Sequence, residues 1–526
     1  MNRREFMQMA AGGVASIPFA GATGRAVAAQ GGKRPNFVII MADDMGFSDI
    51  GCYGSEIATP NLDGLAREGL RFTHGYSAAR CCPSRAALLT GLYPHLAGMG
   101  GMVTRRNTEI KEGPYQGFLN NRCVTLAEAL RGAGYRTYMS GKWHVGERPE
   151  HWPRQRGFDR YFGLISGASS YWEILDEEAN TRTMALDDEP YTPVKGEYYM
   201  TDAFTDHAVD FLREHGQSEN PFLLYLAYTA PHWPLHAWPE DIARYKDRYK
   251  AGWDELRNER HARQIDMKVV DPKWPLAPRD PEVPAWDDAE NKEQWSQLMA
   301  IYAAMIDRMD QGIGKVLQTL KDTGADDNTI VMFVSDNGGC HETLEGRELN
   351  VEGSTPGLPG SFLAYRRPWA NASNTPFRMF KHWVHEGGIA TPWIVRWPAG
   401  MEARGELSGQ VVHITDIMPT CLDAAGVEYP KEFKGQATTP LTGKSLLPIF
   451  KDGVREPHDT LYWEHLGNRA VRHGDWKLVA VKEGDWELYN LKDDRTELKN
   501  LGGEHPAIAV DLMNRYSNWA EATGIA

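Results

Sequence analysis

Six cysteines in 526 residues, Cys52, Cys81, Cys82, Cys123, Cys340 and Cys421, follow no scaffold spacing, which excludes a disulfide-dense fold. Beyond residue 29 no apolar run is long enough to span a bilayer, so no stable membrane insertion is expected. Basic charge is also short. Lys and Arg number 57 against 71 Asp and Glu, a net −14, which argues against a nucleic-acid partner and, mildly, against a long polyanionic polysaccharide. Internal repeats and low-complexity stretches are missing too. What remains is a chain too long for one small core, suited to one large α/β domain and a smaller one.

Residues 1–29 stand apart. Asn2-Arg3-Arg4-Glu5-Phe6-Met7, a Gly- and Ala-rich apolar segment broken by Gly and Pro, and small residues near Ala26-Val27-Ala28-Ala29 form a twin-Arg export signal. The twin-Arg translocase is thus an expected partner and the periplasm, or secretion, the expected destination.

The chemistry gathers at Cys81-Cys82-Pro83-Ser84-Arg85. A small nucleophile immediately before a run of helix formers sits at a helix N-terminus, where unpaired N–H groups favour an anion. Asn36 to Met41 is a continuous apolar run, expected of a strand buried on both faces of a parallel sheet, and it ends in Asp43-Asp44. Carboxylates at such strand ends lie where open α/β sheets place ligands. Thr125 and Glu128 have capping-box spacing, predicting a helix over 125–133. A strand over 135–140 then leads to Lys142 and His144, two apart and facing the same way. Another buried strand over 221–228 ends near His232, and one over 329–334 ends in Asp336-Asn337. With Asp43 and Asp44 these make an oxygen-rich shell suited to Ca²⁺ or Mg²⁺ and poorly suited to zinc.

Leu298, Ile301, Met305, Met309, Ile313, Val316 and Leu320 recur at helical spacing, with Asp307 and Asp310 on an expected solvated face. Residues 237–295, with five tryptophans, are an insertion that either covers the active-site mouth or elaborates the surface. The small-residue loop from Gly167 to Tyr171-Trp172 either lines the entrance for an aryl or sugar ring or, the preferred reading, packs on the surface. From about 400 the strands shorten, and 476–479 and 486–491 predict a small antiparallel sheet before a terminal helix near 507–522. The expected division is a main domain over 30–400 and an α+β subdomain over 401–526.

Cys-x-Pro-Ser-Arg followed by Leu89-Thr90-Gly91 resembles the motif of the type I sulfatases, and so do Gly141-Lys142-Trp143-His144 and the segment from Lys381 to Glu386-Gly387-Gly388. Gly54 to Asp63 is similar to bacterial arylsulfatases in particular. The resemblance implies an alkaline-phosphatase-like α/β sandwich with a mostly parallel sheet and a smaller C-terminal domain. It implies that a maturation enzyme oxidises Cys81 to formylglycine (3-oxoalanine), and that Asp43, Asp44, Asp336, Asn337 and residue 81 hold a cation, Ca²⁺ rather than Mg²⁺. It further implies that Lys142 and Lys381 contact sulfate, that Arg85 favours the attacking oxyanion, that His144 serves the release of sulfate and that His232 meets the leaving oxygen. The expected substrate is an aryl sulfate or a sulfated sugar. Two rival readings stay open: a phosphonate or phosphate diester hydrolase of the same superfamily, and a non-catalytic sugar-binding relative.

Overall fold

The structure, a computed structural model, describes residues 33–525 apart from 105–108, 110, 176–181, 217 and 345–348; the expected export signal lies outside the described residues. A ten-stranded sheet forms the frame: β1 (Asn36–Ala42), β2 (Leu70–Tyr76), β3 (Arg136–Gly141), β4 (Arg160–Leu164), β5 (Met184–Leu186), β6 (Glu189–Pro190), β7 (Phe222–Ala227), β8 (Thr329–Ser335), β9 (Trp393–Arg396) and β10 (Glu406–His413). Their order is β10-β2-β9-β8-β1-β7-β3-β4-β5-β6. At the centre β8, β1, β7, β3 and β4 are parallel, with Val38 level with Val331 on one side and Leu224 on the other. Strand β9 runs antiparallel to β2 and β8.

The apolar run of β1 is explained by two cores. Phe37, Ile39 and Met41 join the helices Cys81–Thr90, Leu126–Gly132 and Ile417–Ala425 on one face. Val38, Ile40 and Ala42 join the 31-residue helix Lys292–Asp322 and the helix Met200–His215 on the other. Alternate side chains leave a strand on opposite faces, so a strand covered twice must be apolar throughout. The expected capping box is formed: Glu128 N donates to Thr125 Oγ1 at 3.0 Å and Thr125 N donates to Glu128 Oε2 at 2.9 Å.

Three details differ from or sharpen the sequence reading. Asp307 and Asp310 are buried, not solvated. Asp310 accepts from the backbone N of Asn61 and Leu62 at 3.0 and 2.8 Å, closing the first turn of the helix Pro60–Glu68, and Asp307 accepts from Arg244 and Tyr245. A helical stripe cannot tell solvent from a second layer of packed helix. The tryptophans of the 237–295 insertion are taken up in packing: Trp253 meets Trp286, Trp295 and Trp369 edge-on at 4.7, 5.7 and 5.5 Å. Arg260 ties the same insertion to Asp49 and Glu56 at 2.7 and 2.9 Å. Beyond residue 400, β10 still belongs to the large sheet, paired with β2. A short two-stranded hairpin follows, β11 (Glu432–Phe433) with β12 (Gln436–Ala437), and then the separate antiparallel sheet β13 (Thr460–His465), β14 (Asn468–His473), β15 (Trp476–Ala480) and β16 (Glu487–Asn490), which packs the helix Pro506–Thr523.

Candidate active site

The strand order brings β8, β1, β7 and β3 side by side, so the residues after their C-terminal ends converge. Asp43 and Asp44 follow β1, Lys142 and His144 follow β3, His232 follows β7, and Asp336 and Asn337 follow β8. The helix Cys81–Thr90 starts at Cys81 itself and stops at Gly91, whose φ of 67° is left-handed. Four non-glycine residues around the site also take positive φ: Asp44 at 66°, Ala79 at 65°, His144 at 56° and His382 at 90°. Such conformations cost of order 1–3 kcal/mol each and persist where the surroundings over-determine them.

Three buried carboxylates face three buried cations. Lys142 Nζ lies 2.6 Å from Asp43 Oδ2, Lys381 Nζ 2.8 Å from Asp44 Oδ2 and Arg85 Nη2 2.9 Å from Asp336 Oδ2. Arg85 also donates from Nη1 to the Lys142 carbonyl at 2.9 Å, so it cross-links β1, β3 and β8 as well as standing beside Cys81. Asn337 Nδ2 donates to Asp44 Oδ1 at 2.8 Å, and the Asp44 amide donates to Asp336 Oδ1 at 3.1 Å. Burial, then the Asp336 charge, push Asp43 up to about 7. Burial also acts on Asp44, but the charges of Lys381 and His232 outweigh it and hold that carboxyl below its usual value.

Two buried oxygens at the centre of this set, Asp43 Oδ1 and Asn337 Oδ1, have no hydrogen-bond partner among the described residues. Buried acceptors in that state cost free energy unless something binds them. A hard cation is what an all-oxygen, carboxylate-rich donor set fits, and the residues expected to hold it are together. Asp43, Asp44 and His232 also place one ligand-type atom each within 4.8 Å of one another.

On the other side, Cys81 Sγ, Cys82 Sγ and a ring nitrogen of His144 lie within 4.8 Å of one another. The Cys82 thiol hydrogen bond, together with the charges of Lys142 and His144, overcomes burial and holds the Cys81 thiol well below its usual pKa. Burial drives His144 down to about 3, so its ring is neutral at pH 7. His232 keeps Nδ1 against the Trp233 carbonyl at 2.6 Å, which turns Nε2 toward Lys381 Nζ and Asp44 Oδ2, each 3.4 Å away.

All the site residues expected from the sequence therefore meet in one cluster. Four others went unforeseen. Glu342 and Arg80 form an ion pair at 2.8 Å whose side chains are 20% and 18% exposed, against 1% for the neighbouring Lys381. Glu342 also accepts from Trp233 Nε1 at 2.8 Å and stands 3.7 Å from Lys381. Tyr171 donates toward the Thr229 and His232 carbonyls, and Gly167 lies against the His144 ring. Arg80 precedes the Cys81 stretch, and Gly167 and Tyr171 lie in the small-residue loop already singled out, but neither signal pointed to these partners.

An alkaline-phosphatase-like α/β sandwich with polar strand ends facing a buried nucleophile defines a class of ester hydrolase. Comparison with known proteins narrows it. The sulfatase family model matches residues 35–427, and a model described as N-sulphoglucosamine sulphohydrolase, C-terminal, matches residues 377–518. An arylsulfatase of Klebsiella aerogenes is 34% identical over 431 residues, 79% of this chain and 92% of that protein. An uncharacterised sulfatase of Schizosaccharomyces pombe is 37% identical over 477 residues, 85% of each chain. The crystal structure of Ps i-CgsB in complex with k-i-k-neocarrahexaose superposes with a TM-score of 0.69 at 26% identity, covering 93% of each chain. The chain belongs to the sulfatase family, and it is a sulfuric ester hydrolase.

Proposed function

We propose that this sulfatase hydrolyses a sulfate monoester of a phenol or a sugar, using a formylglycine made from Cys81 and a bound divalent cation, Ca²⁺ in preference to Mg²⁺. The observation that carries the reading is the placement of Cys81 at the start of a buried helix, with His144 close by and the cluster of Lys142, Arg85 and the carboxylates beside it. Cys81 has its thiol here and stands where the aldehyde would be. Hydrated, that aldehyde supplies one hydroxyl to attack sulfur and a second whose deprotonation releases sulfate. The cation, held by Asp43, Asp44, Asp336 and Asn337, would draw charge from the sulfate oxygens and favour an ionised hydroxyl.

Charge balance supports this assignment. With Asp43 ionised, as a cation held there would make it, three carboxylates against three cations leave the cluster neutral. A divalent cation adds two positive charges, and a sulfate ester monoanion with one ionised hydroxyl removes them. Lys142 and Lys381 are the donors nearest the sulfate. The Coulomb pull of Asp44 and its neighbours opposes burial and keeps Lys381 charged, while burial lowers His232 below its usual value. Lys381 therefore holds the proton of the Lys381–His232 pair at neutral pH, and the two together stabilise the departing alcohol. His144, neutral, accepts the proton whose removal frees sulfate; acid–base help of this kind is worth about 10² to 10⁴ in rate.

Residues 1–29 are proposed to direct twin-Arg export, with oxidation of Cys81 by a formylglycine-generating enzyme completed in the cytoplasm beforehand. The test is the mass of the tryptic peptide Cys81–Arg85 from the periplasmic fraction of the native host, alongside turnover of 4-nitrophenyl sulfate before and after chelation. An aldehyde in place of the thiol, with activity lost on chelation and restored by Ca²⁺, supports the reading. A fully active protein whose Cys81 is an unmodified thiol overturns it.

A further inference from the structure

We propose that the loop over residues 165–172 positions both histidines of the site, Tyr171 setting His232 and Gly167 setting His144. The inference rests on the roles given above to those histidines. At its start the loop is fixed to the strand-end segment: His144 N donates to the Ile165 carbonyl at 3.1 Å, Trp143 N to the Leu164 carbonyl at 2.9 Å, and Ile165 N to the Thr183 carbonyl at 2.8 Å. Gly167 then passes directly beneath the imidazole. A Cβ at this position would lie 2.4 Å from His144 Nε2 and 2.6 Å from Cε1, closer than real atoms approach. The glycine does not need its own backbone freedom, since its φ is outside the left-handed region. It is small because the ring is there.

Four residues on, the Tyr171 hydroxyl lies 2.7 Å from the Thr229 carbonyl and 2.9 Å from the His232 carbonyl, bridging the turn that His232 N closes onto Thr229 at 2.9 Å. Burial pushes the Tyr171 pKa well above 10, so the hydroxyl keeps the proton it donates. The Tyr171 amide is held by His236 Nδ1 at 3.2 Å, and His236 Nε2 reaches the Ser361 carbonyl at 2.7 Å. The His232 backbone is thus anchored from outside its own strand. This matters because His232 Nε2 is 3.4 Å from both Lys381 Nζ and Asp44 Oδ2, at the outer edge of hydrogen-bond reach. A displacement of about 1 Å at a reacting centre costs on the order of 10²-fold in rate.

One loop therefore controls two different halves of the reaction, and its variants should separate them. The assay uses the mature enzyme and a series of aryl sulfates from 4-nitrophenyl sulfate to phenyl sulfate, with rapid-mixing measurement of phenol release. Tyr171→Phe is expected to lose about tenfold on phenyl sulfate and less than about threefold on 4-nitrophenyl sulfate, a smaller version of the effect of His232→Ala. Gly167→Ala is expected to release a rapid burst of phenol equal to the enzyme present, followed by a steady rate roughly tenfold or more below wild type, the pattern also expected of His144→Ala. In a His144→Ala background the clash is gone, so adding Gly167→Ala should lower neither the melting temperature nor the rate further. Uniform losses across the series for Tyr171→Phe, or a Gly167→Ala effect that survives in the His144→Ala background, overturn the inference while leaving the histidine roles intact. If instead His232→Ala shows no dependence on the leaving group, or His144→Ala no burst, the roles themselves fall and take this inference with them.

Discussion

A buried charge cluster bolts the C-terminal sheet to the segment that carries Lys381, and its strength can be measured. Lys477 Nζ on β15 lies 2.9 Å from Glu386 Oε1 and 2.8 Å from Glu497 Oε1, all three side chains fully buried. Arg495 Nε and the Tyr76 hydroxyl donate to Glu386 Oε2, each at 2.9 Å, and the Glu386 amide donates to Glu497 Oε2 at 2.8 Å. Lys477→Met removes the ammonium and keeps the volume of the stem. Removing one member of a buried pair costs about 3–5 kcal/mol because a charge is left without its partner. Glu386 keeps Arg495 and Tyr76, so the expected loss is at the low end, about 3 kcal/mol. Urea denaturation followed by tryptophan fluorescence reads it as a lower midpoint at unchanged slope. Lys477→Met combined with Glu497→Gln should cost less than the two single changes added, since Glu497, whose ion pair is with Lys477, is then neutral. A loss below about 1 kcal/mol for Lys477→Met, or strict additivity, would refute this account of the cluster.

The same cluster fixes a pH dependence. Burial opposes ionisation of Glu386, but Lys477, Arg495 and Arg472 prevail and bring it to about 2 from a usual 4.5. Its folded value is depressed, so its contribution is complete above pH 4.5 and is lost as pH falls from there toward 2, amounting to about 3 kcal/mol. Glu386→Gln should flatten the acid limb of the stability profile in that window.

Three further outcomes are expected. Asp310→Ala removes the acceptor for Asn61 N and Leu62 N and should cost about 1–2 kcal/mol in urea while leaving turnover of 4-nitrophenyl sulfate within twofold; an unchanged midpoint would mean that the cap contributes nothing. Glu342→Gln removes a negative charge 3.7 Å from Lys381 in a partly exposed place, so inorganic sulfate should inhibit roughly fivefold more tightly, corresponding to about 1 kcal/mol. An unchanged inhibition constant would take Glu342 out of the anion's field. Asp43→Asn fills the carboxylate position with an amide and should weaken the thermal stabilisation given by Ca²⁺, read as a smaller rise in melting temperature on adding the ion; an undiminished rise would remove Asp43 from the ligand set.

Much of the site was legible because its residues follow strands with an unmistakable pattern. The runs at Asn36–Ala42, Phe222–Ala227 and Thr329–Ser335 are apolar at every step or nearly so, and the polar residues expected at the site, Asp43, His232 and Asp336, stand within five residues of their ends. The start of a helix at Cys81 was legible from the helix formers that follow it; the structure ends that helix at Thr90, with Gly91 in the left-handed region. Glu342, Arg80, Tyr171 and Gly167 were not legible, because each acquires its meaning from a partner elsewhere in the chain. Glu342 is separated from Arg80 by more than 250 residues, and Tyr171 from His232 by about 60. Asp307 and Asp310 were misjudged for the same reason: periodicity identifies the face of a helix turned from the first core, and only the neighbouring insertion and helix decide that this face is covered as well.

What the sequence determined by itself was local: which segments are buried on both sides, where they stop, and which carboxylates, lysines and histidines stand just past the stops. Those features follow from residue-by-residue preference and the two-residue period of a strand. The tertiary structure alone decided that β8, β1, β7 and β3 are neighbours, that three carboxylates meet three cations, and that one loop touches both histidines. Strand order is set by how connections of very different length pack their helices on the two faces of the sheet, and that is a property of the whole core rather than of any segment in it.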